Sequence, residues 1–590
     1  MKNRATMLWS VVGALAAIGV WACGVEPKTT DPTTPSDNRP APGRFPGIDE
    51  VEGNLQQLAQ PCTFSTDGGQ MTVNLSGGEY ALISRTGLGD GGFGITVNGT
   101  ICGNAGSNTQ RISVTSPNDG GSETVIIDYL NGTFALGSAS VVGINVDLRN
   151  GTGDSLRFRG SNGVDNFLFA TTVADAGSNG IYAIAVGVNG VTNPGHRAIS
   201  FTGVESVIVS TGPGNDVVRT GGQADAGVGG TPYGRVLSGT GPSLTFWGGD
   251  GDDTLNGGSA KVGSSVTFNG GDGTDVCDYS SRTLALTCTI NGGAVCGESG
   301  ENSTIAVDVE QVNGGSADDT FVCAADAGCT VNGNGGADTI TGGELADTLN
   351  GGAGNDTIVP GLGDDTIACG ADTDTISYSD RSGAVSVTLG AAGAASTPNG
   401  TLLADGGVDE ADSIATCENI VGGQGNDTLT GNDLDNAITG GAGDDTMLGG
   451  AGADTFFQFF AGLMGDDGDD SINGEAGVDT VSYSGRTAAL TLTLALLPDA
   501  GVPNTNGQSG EGDSFQGIEN LICGGGNDTA TGNAENNLIE GGDGDDTIDS
   551  AAGDDIIEPG AGTNAVTCGA GNDILLPGGT TTNSANDCEG

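Results

Sequence analysis

Residues 351–359 read GGAGNDTIV, flanked by GGELADTLN at 342–350 and PGLGDDTIA at 360–368. Each stretch carries one acid at its sixth position (Asp347, Asp356, Asp365) and one large apolar residue at its eighth (Leu349, Ile358, Ile367). Glycine at positions one, two and four opens backbone angles closed to other residues, so carbonyl oxygens can turn toward a common point. The last three residues have the alternation of a thin strand, which places Ile358 inward and its neighbours outward.

Aligned to G-G-x-G-x-D-x-U-x, with U a large apolar residue, the chain contains 21 such windows from residue 211 onward. Contiguous runs begin at 333 (five windows), 422 (four), 465 (two) and 523 (six); single windows begin at 211, 248, 270 and 314. The sixth position is aspartate in 18 windows. These are Asp216, Asp253, Asp275, Asp319, Asp338, Asp347, Asp356, Asp365, Asp374, Asp427, Asp445, Asp454, Asp470, Asp479, Asp528, Asp546, Asp555 and Asp573. Asn436, Asn537 and Asn564 fill the other three, and the only exceptions at position eight are Cys277 and Ala530. A weaker copy, GSNGVDNFL, stands at 160–168.

This nonapeptide resembles the calcium-binding repeat of the repeats-in-toxin family, over residues 211–576. The resemblance implies an all-β, right-handed parallel β-roll with two nonapeptides per coil. In it, the first six residues of each repeat turn and bind Ca²⁺, and the last three form a strand. Ca²⁺ is a hard cation that takes six to eight oxygens, and carbonyls plus short carboxylates are its usual ligands. The eighteen aspartates are therefore the expected ligands, and several calcium ions the expected cofactors. A site needs windows n and n+2 stacked on one edge, which pairs Asp338 with Asp356, Asp347 with Asp365, and Asp356 with Asp374.

Two carboxylates about 4 Å apart repel by about 4 kcal/mol at an effective dielectric near 20. One apolar plug per nine residues, at about 3 kcal/mol at most, does not exceed that plus chain entropy. Folding of the roll is thus expected to require the ion. The bland alternative is a set of solvated Asp-Gly turns without metal, and it weighs most on the single windows.

Composition agrees with an extended repeat. The chain has 590 residues, 112 of them glycine, only 4% aromatic, and a formal charge of −58 from 75 acids against 17 bases. Such a field repels nucleic acid and anionic lipid and attracts cations. Lys2 and Arg4 precede an apolar run from Met7 to Ala22 that reads as an export signal. The following VWAC resembles a bacterial lipoprotein box with Cys23 as the lipidated residue, although Trp21 departs from the small residue usual there. Ordinary cleavage after Ala22 is the alternative. Residues 23–49 form a Pro/Thr-rich tether, and any membrane attachment is expected only through the lipid. Twelve further cysteines, with Cys62–Cys102 and Cys323–Cys329 as plausible pairs, suit an oxidising compartment and show no zinc-type spacing.

A longer repeat encloses the short one. DVCDYSSRTLALTCTI, DTISYSDRSGAVSVTL and DTVSYSGRTAALTLTL begin at 275, 374 and 479. Their arginines, Arg282, Arg381 and Arg486, are the only basic residues after Lys261. Tyr279, Tyr378 and Tyr483 are expected to cap the roll while each arginine pairs with carboxylates; contact with a ligand is the alternative. Expected divisions are 50–210 (β-rich, with short alternating segments), 211–330 (degenerate repeats), 331–421, 422–522 and 523–590.

Enzymatic motifs are absent. The single histidine, His196, excludes the two-histidine zinc-protease motif, and no GxSxG occurs. The expectation is a non-enzymatic, exported surface, matrix or adhesin-like protein whose partners are calcium ions and a surface polysaccharide or matrix component. The alternative is a calcium-dependent polysaccharide lyase or epimerase using residues 50–210, with Arg149, Arg157 and Arg159 as candidates for substrate contact.

Overall fold

The computed structural model describes residues 63–588, except for internal segments of which the longest are 130–143, 172–181, 188–198, 221–241, 391–401, 459–467 and 495–505. The export signal, Cys23, the tether, Cys62 and His196 lie outside the described residues.

Every regular element described is a strand, and nearly all pairing is parallel. Strands of three residues such as Thr339–Thr341 and Thr357–Val359 bury only the middle side chain. Their β-branched residues favour the extended backbone, while the glycine-rich turns on either side keep them short. Thr339–Thr341 pairs in register with Thr357–Val359, which pairs with Thr375–Ser377, at 18 residues per coil. The intervening strands Thr330–Gly335, Thr348–Ala353 and Thr366–Ala371 stack in a second sheet. The result is a parallel β-roll with two nonapeptides per coil. Its core is one file of plugs: Ile340, Leu349, Ile358, Ile367 and Ile376 are at most 1% exposed.

The N-terminal region continues the same stack as a divergent solenoid. Gln70–Asn74, Arg111–Thr115 and Ile144–Asp147 pair in parallel, as do Tyr80–Ile83, Thr124–Asp128 and Ser155–Arg159. Ser206–Ser210 pairs with Ser155–Arg159 on one side and with Ser243–Trp247 on the other, so pairing is unbroken across residue 210. Antiparallel excursions interrupt this part at Phe93–Asn104 and Asn166–Thr202.

Each YSxR phrase marks a seam in one sheet while the opposite sheet runs on. At the second seam the chain leaves Thr375–Ser377, forms Ser386–Thr388, returns as Ser413–Ala415 and rejoins the first sheet at Asn419–Val421. Ser413–Ala415 closes the 15-stranded sheet beneath it, and Ser386–Thr388 opens a new 5-stranded sheet above. The third seam repeats this with Ser514–Gln516 and Leu490–Thr493. The first seam lies in the other sheet, where Thr304–Ile305 closes a 9-stranded sheet and Leu286–Ile290 opens a 14-stranded one.

The seams show what the tyrosines and arginines do. Each arginine N–H closes a turn onto the carbonyl of its tyrosine. The Arg282 guanidinium, 0% exposed, donates to the carbonyls of Gly257 and Gly258 and to Glu298 and Glu301. Arg486 donates to the Gln458 carbonyl and Glu511, and Arg381 to the Gly361 carbonyl. These side chains are inside the stack of coils, not at its ends, because the opposite sheet carries the stack past them. All three arginines are too buried to touch an external ligand.

Among the described residues, disulfides join Cys288–Cys296, Cys323–Cys329, Cys369–Cys417 and Cys568–Cys588. Cys102 is also disulfide-bonded, while Cys277 and Cys523 are buried free thiols. An even cysteine count thus does not mean complete pairing, since Cys277 stands at an inward plug position.

Candidate metal centre

The sixth-position aspartates line the turns between coils, and all eighteen are buried. One hydrogen bond recurs along them. The backbone N–H at position six of one coil donates to the carboxylate at position six of the next: Asp338 to Asp356 (2.7 Å), Asp356 to Asp374 (2.8 Å), Asp347 to Asp365 (2.8 Å). The same contact joins Asp427, Asp445 and Asp470, then Asp454 to Asp479, Asp528 to Asp546, and Asp555 to Asp573.

Windows that stand alone in the sequence do not stand alone in space. Asp216 donates to Asp253 and Asp253 to Asp275, because the strands after them are neighbours in one sheet. The weak window at 160–168 lies beneath them, with Asp165 donating to Asp216, and Asp319 stacks under Asp338. Residues 220–247 and 257–269 separate these windows in the chain, so linear spacing hid the ladder.

The turns occur in two forms. In a turn with no nonapeptide turn beneath it on the same edge, position two has an ordinary φ and its N–H donates to the second oxygen of its own carboxylate. Gly315 does so to Asp319 (2.8 Å), Gly343 to Asp347 (2.7 Å) and Gly423 to Asp427 (2.6 Å). Later windows have another turn stacked beneath, and there position two has a positive φ, as at Gly352 (124°), Gly370 (130°) and Gly450 (110°). The N–H then no longer reaches the carboxylate. Oδ2 of Asp216, Asp253, Asp275, Asp338, Asp356, Asp374, Asp454, Asp479, Asp546, Asp555 and Asp573 is buried without a hydrogen-bond partner. Asn334, Glu475 and Ala551 adopt the positive φ (72°, 68°, 71°) without being glycine, at a cost of about 1–3 kcal/mol each.

Acceptors converge on the unpartnered oxygens. A Cβ on Gly351 would lie 2.3 Å from both Asp356 Oδ2 and the Cys369 carbonyl oxygen. Asn564 shows what the position demands: its Oδ1 accepts the Asp546 N–H, and its Nδ2 donates to the Pro559 carbonyl at 2.8 Å. Where aspartate replaces that amide, an oxygen faces the turn carbonyls, and a bound cation or a proton on the carboxyl is needed to reconcile them. The donor set fits Ca²⁺, which takes carbonyl and carboxylate oxygens in flexible numbers. Asp347 and its neighbouring cysteines make no thiolate site, because Cys323 and Cys329 are joined to each other.

At two seams a tyrosine supplies the missing partner instead. Asp365 N–H donates to Asp412 Oδ1 and Tyr378 Oη to Asp412 Oδ2 (2.8 Å); Tyr483 meets Asp513 in the same way. Acids outside the nonapeptides also occupy position six, namely Glu310, Glu418 and Glu519, which accept from Asp275, Asp374 and Asp479. Sequence reasoning missed these because only the acid–x–apolar triplet survives, as in Glu418–Asn419–Ile420.

Without a cation the carboxyls resist ionisation. Burial, reinforced by neighbouring carboxylates and opposed by the ladder N–H, pushes Asp216, Asp275, Asp338, Asp374 and Asp479 up to about 7 and Asp253 to about 9. Asp427 rises to about 6, again through burial.

The family model for the RTX calcium-binding nonapeptide repeat (4 copies) matches residues 245–260, 332–367, 420–456, 463–485 and 524–557. The chain therefore carries calcium-binding repeats of this type. Asp216, Asp275, Asp319, Asp374 and Asp573 lie outside the matched segments but on the same ladders. No curated protein matches the chain significantly.

Proposed function

We propose that this chain is an exported, non-enzymatic rod of the cell surface or extracellular matrix, folded by calcium and held through its N-terminus. The observation that carries the reading is the file of buried carboxylates whose second oxygen has no donor. Such a file has a use only where calcium is abundant, which favours an extracellular setting. The disulfides favour an oxidising compartment. The lipid on Cys23 and a polysaccharide or matrix partner belong to the same proposal, motivated by the N-terminal sequence and the acidic surface.

The test is external proteolysis of intact cells that produce the chain. Surface display predicts rapid degradation in chelator and resistance in calcium, with release into the medium on Cys23→Ser. Protection from external protease under both conditions contradicts it. Turnover of an acidic polysaccharide, lost in Arg149→Ala or Arg157→Ala, would establish the carbohydrate-active alternative instead.

A further inference from the structure

One turn is closed by a covalent bond where others leave a carboxylate oxygen bare. Thr330–Gly335 pairs with Thr348–Ala353, Thr330 opposite Thr348, so Cys329 holds the place that Asp347 holds in the next coil. Its N–H joins the ladder, donating to Asp347 Oδ1 at 2.7 Å. Thr320–Cys323 pairs with Thr339–Thr341, Val322 opposite Thr341, so Cys323 is level with Gly342, which is position one of its turn. The Cys323–Cys329 disulfide thus joins positions one and six of a single turn. In the nonapeptides these two positions face each other. A Cβ on Gly333 would collide with Asp338 Oδ2 and come within 2.5 Å of the Gly351 carbonyl oxygen. The sulfur bridge therefore fills the space on which acceptors converge elsewhere, and both cysteines are only 4% exposed.

The acids around this turn need no cation either. Asp347, in the next coil, has both oxygens satisfied, Oδ1 by the Cys329 N–H and Oδ2 by the Gly343 N–H. Asp319, on the opposite edge, accepts from the N–H groups of Leu286 and Gly315, both at 2.8 Å. One coil earlier, the Arg282 guanidinium supplies a built-in positive charge to Glu298 and Glu301, and Cys288–Cys296 ties Leu286–Ile290 to Cys296–Glu298. Among the described residues between Asp275 and Asp338, no buried carboxylate oxygen lacks a hydrogen-bond partner, whereas Oδ2 of Asp275 and of Asp338 does.

We infer that Leu286–Ile290, Gln311–Asn313, Thr320–Cys323 and Thr330–Gly335 form a base that folds without calcium, closed by Cys323–Cys329 where other turns take a cation. The oxidation state of this pair then sets the calcium demand of the five-window run that begins at 333, a consequence that rests on the calcium reading of the repeats. Stacked repeats fold by adding to a formed neighbour. Thr320–Cys323 and Thr330–Gly335 offer the two edges that Thr339–Thr341 and Thr348–Ala353 join. A dithiol that passes two electrons and two protons to the bridge, itself closing to a disulfide, leaves two thiols, opens the turn and raises that demand.

Hydrogen exchange of the full chain, in chelator and across a calcium titration, tests this on the parent and on the double variant Cys323→Ala/Cys329→Ala. In chelator the parent should exchange about tenfold more slowly over 320–323 and 330–332 than over 348–350 and 357–359, within what one disulfide supports. The double variant should lose that difference. Its calcium midpoint for protection of 339–377 should rise, while that for 529–567 stays put. At saturating calcium both chains should protect 339–377 equally, which shows that the variant folds. Chelator-resistant protection that survives the double substitution overturns the inference. So does an unchanged midpoint over 339–377, or a parent whose 330–332 exchanges as fast as 348–350 in chelator. If 339–377 of the parent is protected equally with and without calcium, the calcium reading of the repeats fails, and this inference with it.

Discussion

The backbone N–H of Asp338 donates to Oδ1 of Asp356 at 2.7 Å, while Oδ2 of Asp356 is buried without a donor. One half of the carboxylate thus closes the coil, and the other half requires a cation or a proton. The energetics of the roll follow from this division.

Replacing Asp356 by asparagine should separate the two halves. The new amide can donate to the turn carbonyls, as Asn564 does to Pro559. Calcium-free stability of the surrounding coils should rise by about 1–3 kcal/mol, the cost of one unsatisfied buried group. Calcium stoichiometry should fall. Chelated thermal melts and a calcium titration of Asp356→Asn against the parent measure both.

The pH dependence should flatten with calcium. Asp338 and Asp374 titrate near 7 in the folded, metal-free chain, against about 3.9 when unfolded. A raised folded value means the folded state holds the protons more tightly. Stability from these groups is fully present below about pH 4 and is lost as pH rises through 7. In chelator, strand content by circular dichroism should therefore grow as pH falls from about 8 to 5. Saturating calcium displaces those protons from the folded state, so strand content should then be independent of pH over the same interval.

Arg282 sits where a cation would otherwise be needed, between the Gly257 and Gly258 carbonyls and the carboxylates of Glu298 and Glu301. Arg282→Met leaves two buried glutamates uncompensated, at a cost of about 3–5 kcal/mol. Thermal unfolding in saturating calcium should detect this, and added calcium should not restore it.

The Cys369–Cys417 disulfide closes a loop of 48 residues around the second seam, worth about 4 kcal/mol by chain entropy. At the third seam the corresponding residues are Gly474 and the buried Ile518. Reduction in calcium should accelerate proteolysis near 391–411 and leave 495–505 unchanged.

The sequence disclosed the roll because each nonapeptide carries its acid, its glycines and its plug within nine residues. Asp356 and Ile358 could be assigned without knowing any distant neighbour. Stacking was legible only where windows were contiguous. Asp216, Asp253 and Asp275 form one ladder, but the insertions between them in the sequence conceal the period. Asp412 and Glu418 were missed because the glycines are gone and a lone acid–x–apolar triplet is too common to notice. The two turn forms were also illegible. Gly343 and Gly352 both occupy position two and differ only in whether another turn lies beneath. The seam residues were half legible: the YSxR phrase stood out, but Tyr378 meets Asp412 across 34 residues.

The most direct measurement is circular dichroism of the mature chain in chelator, titrated with Ca²⁺ and then returned to chelator. Coupled folding and binding predicts low strand content without the ion, a cooperative rise on titration, and reversal on its removal. Equal strand content with and without calcium would contradict the account.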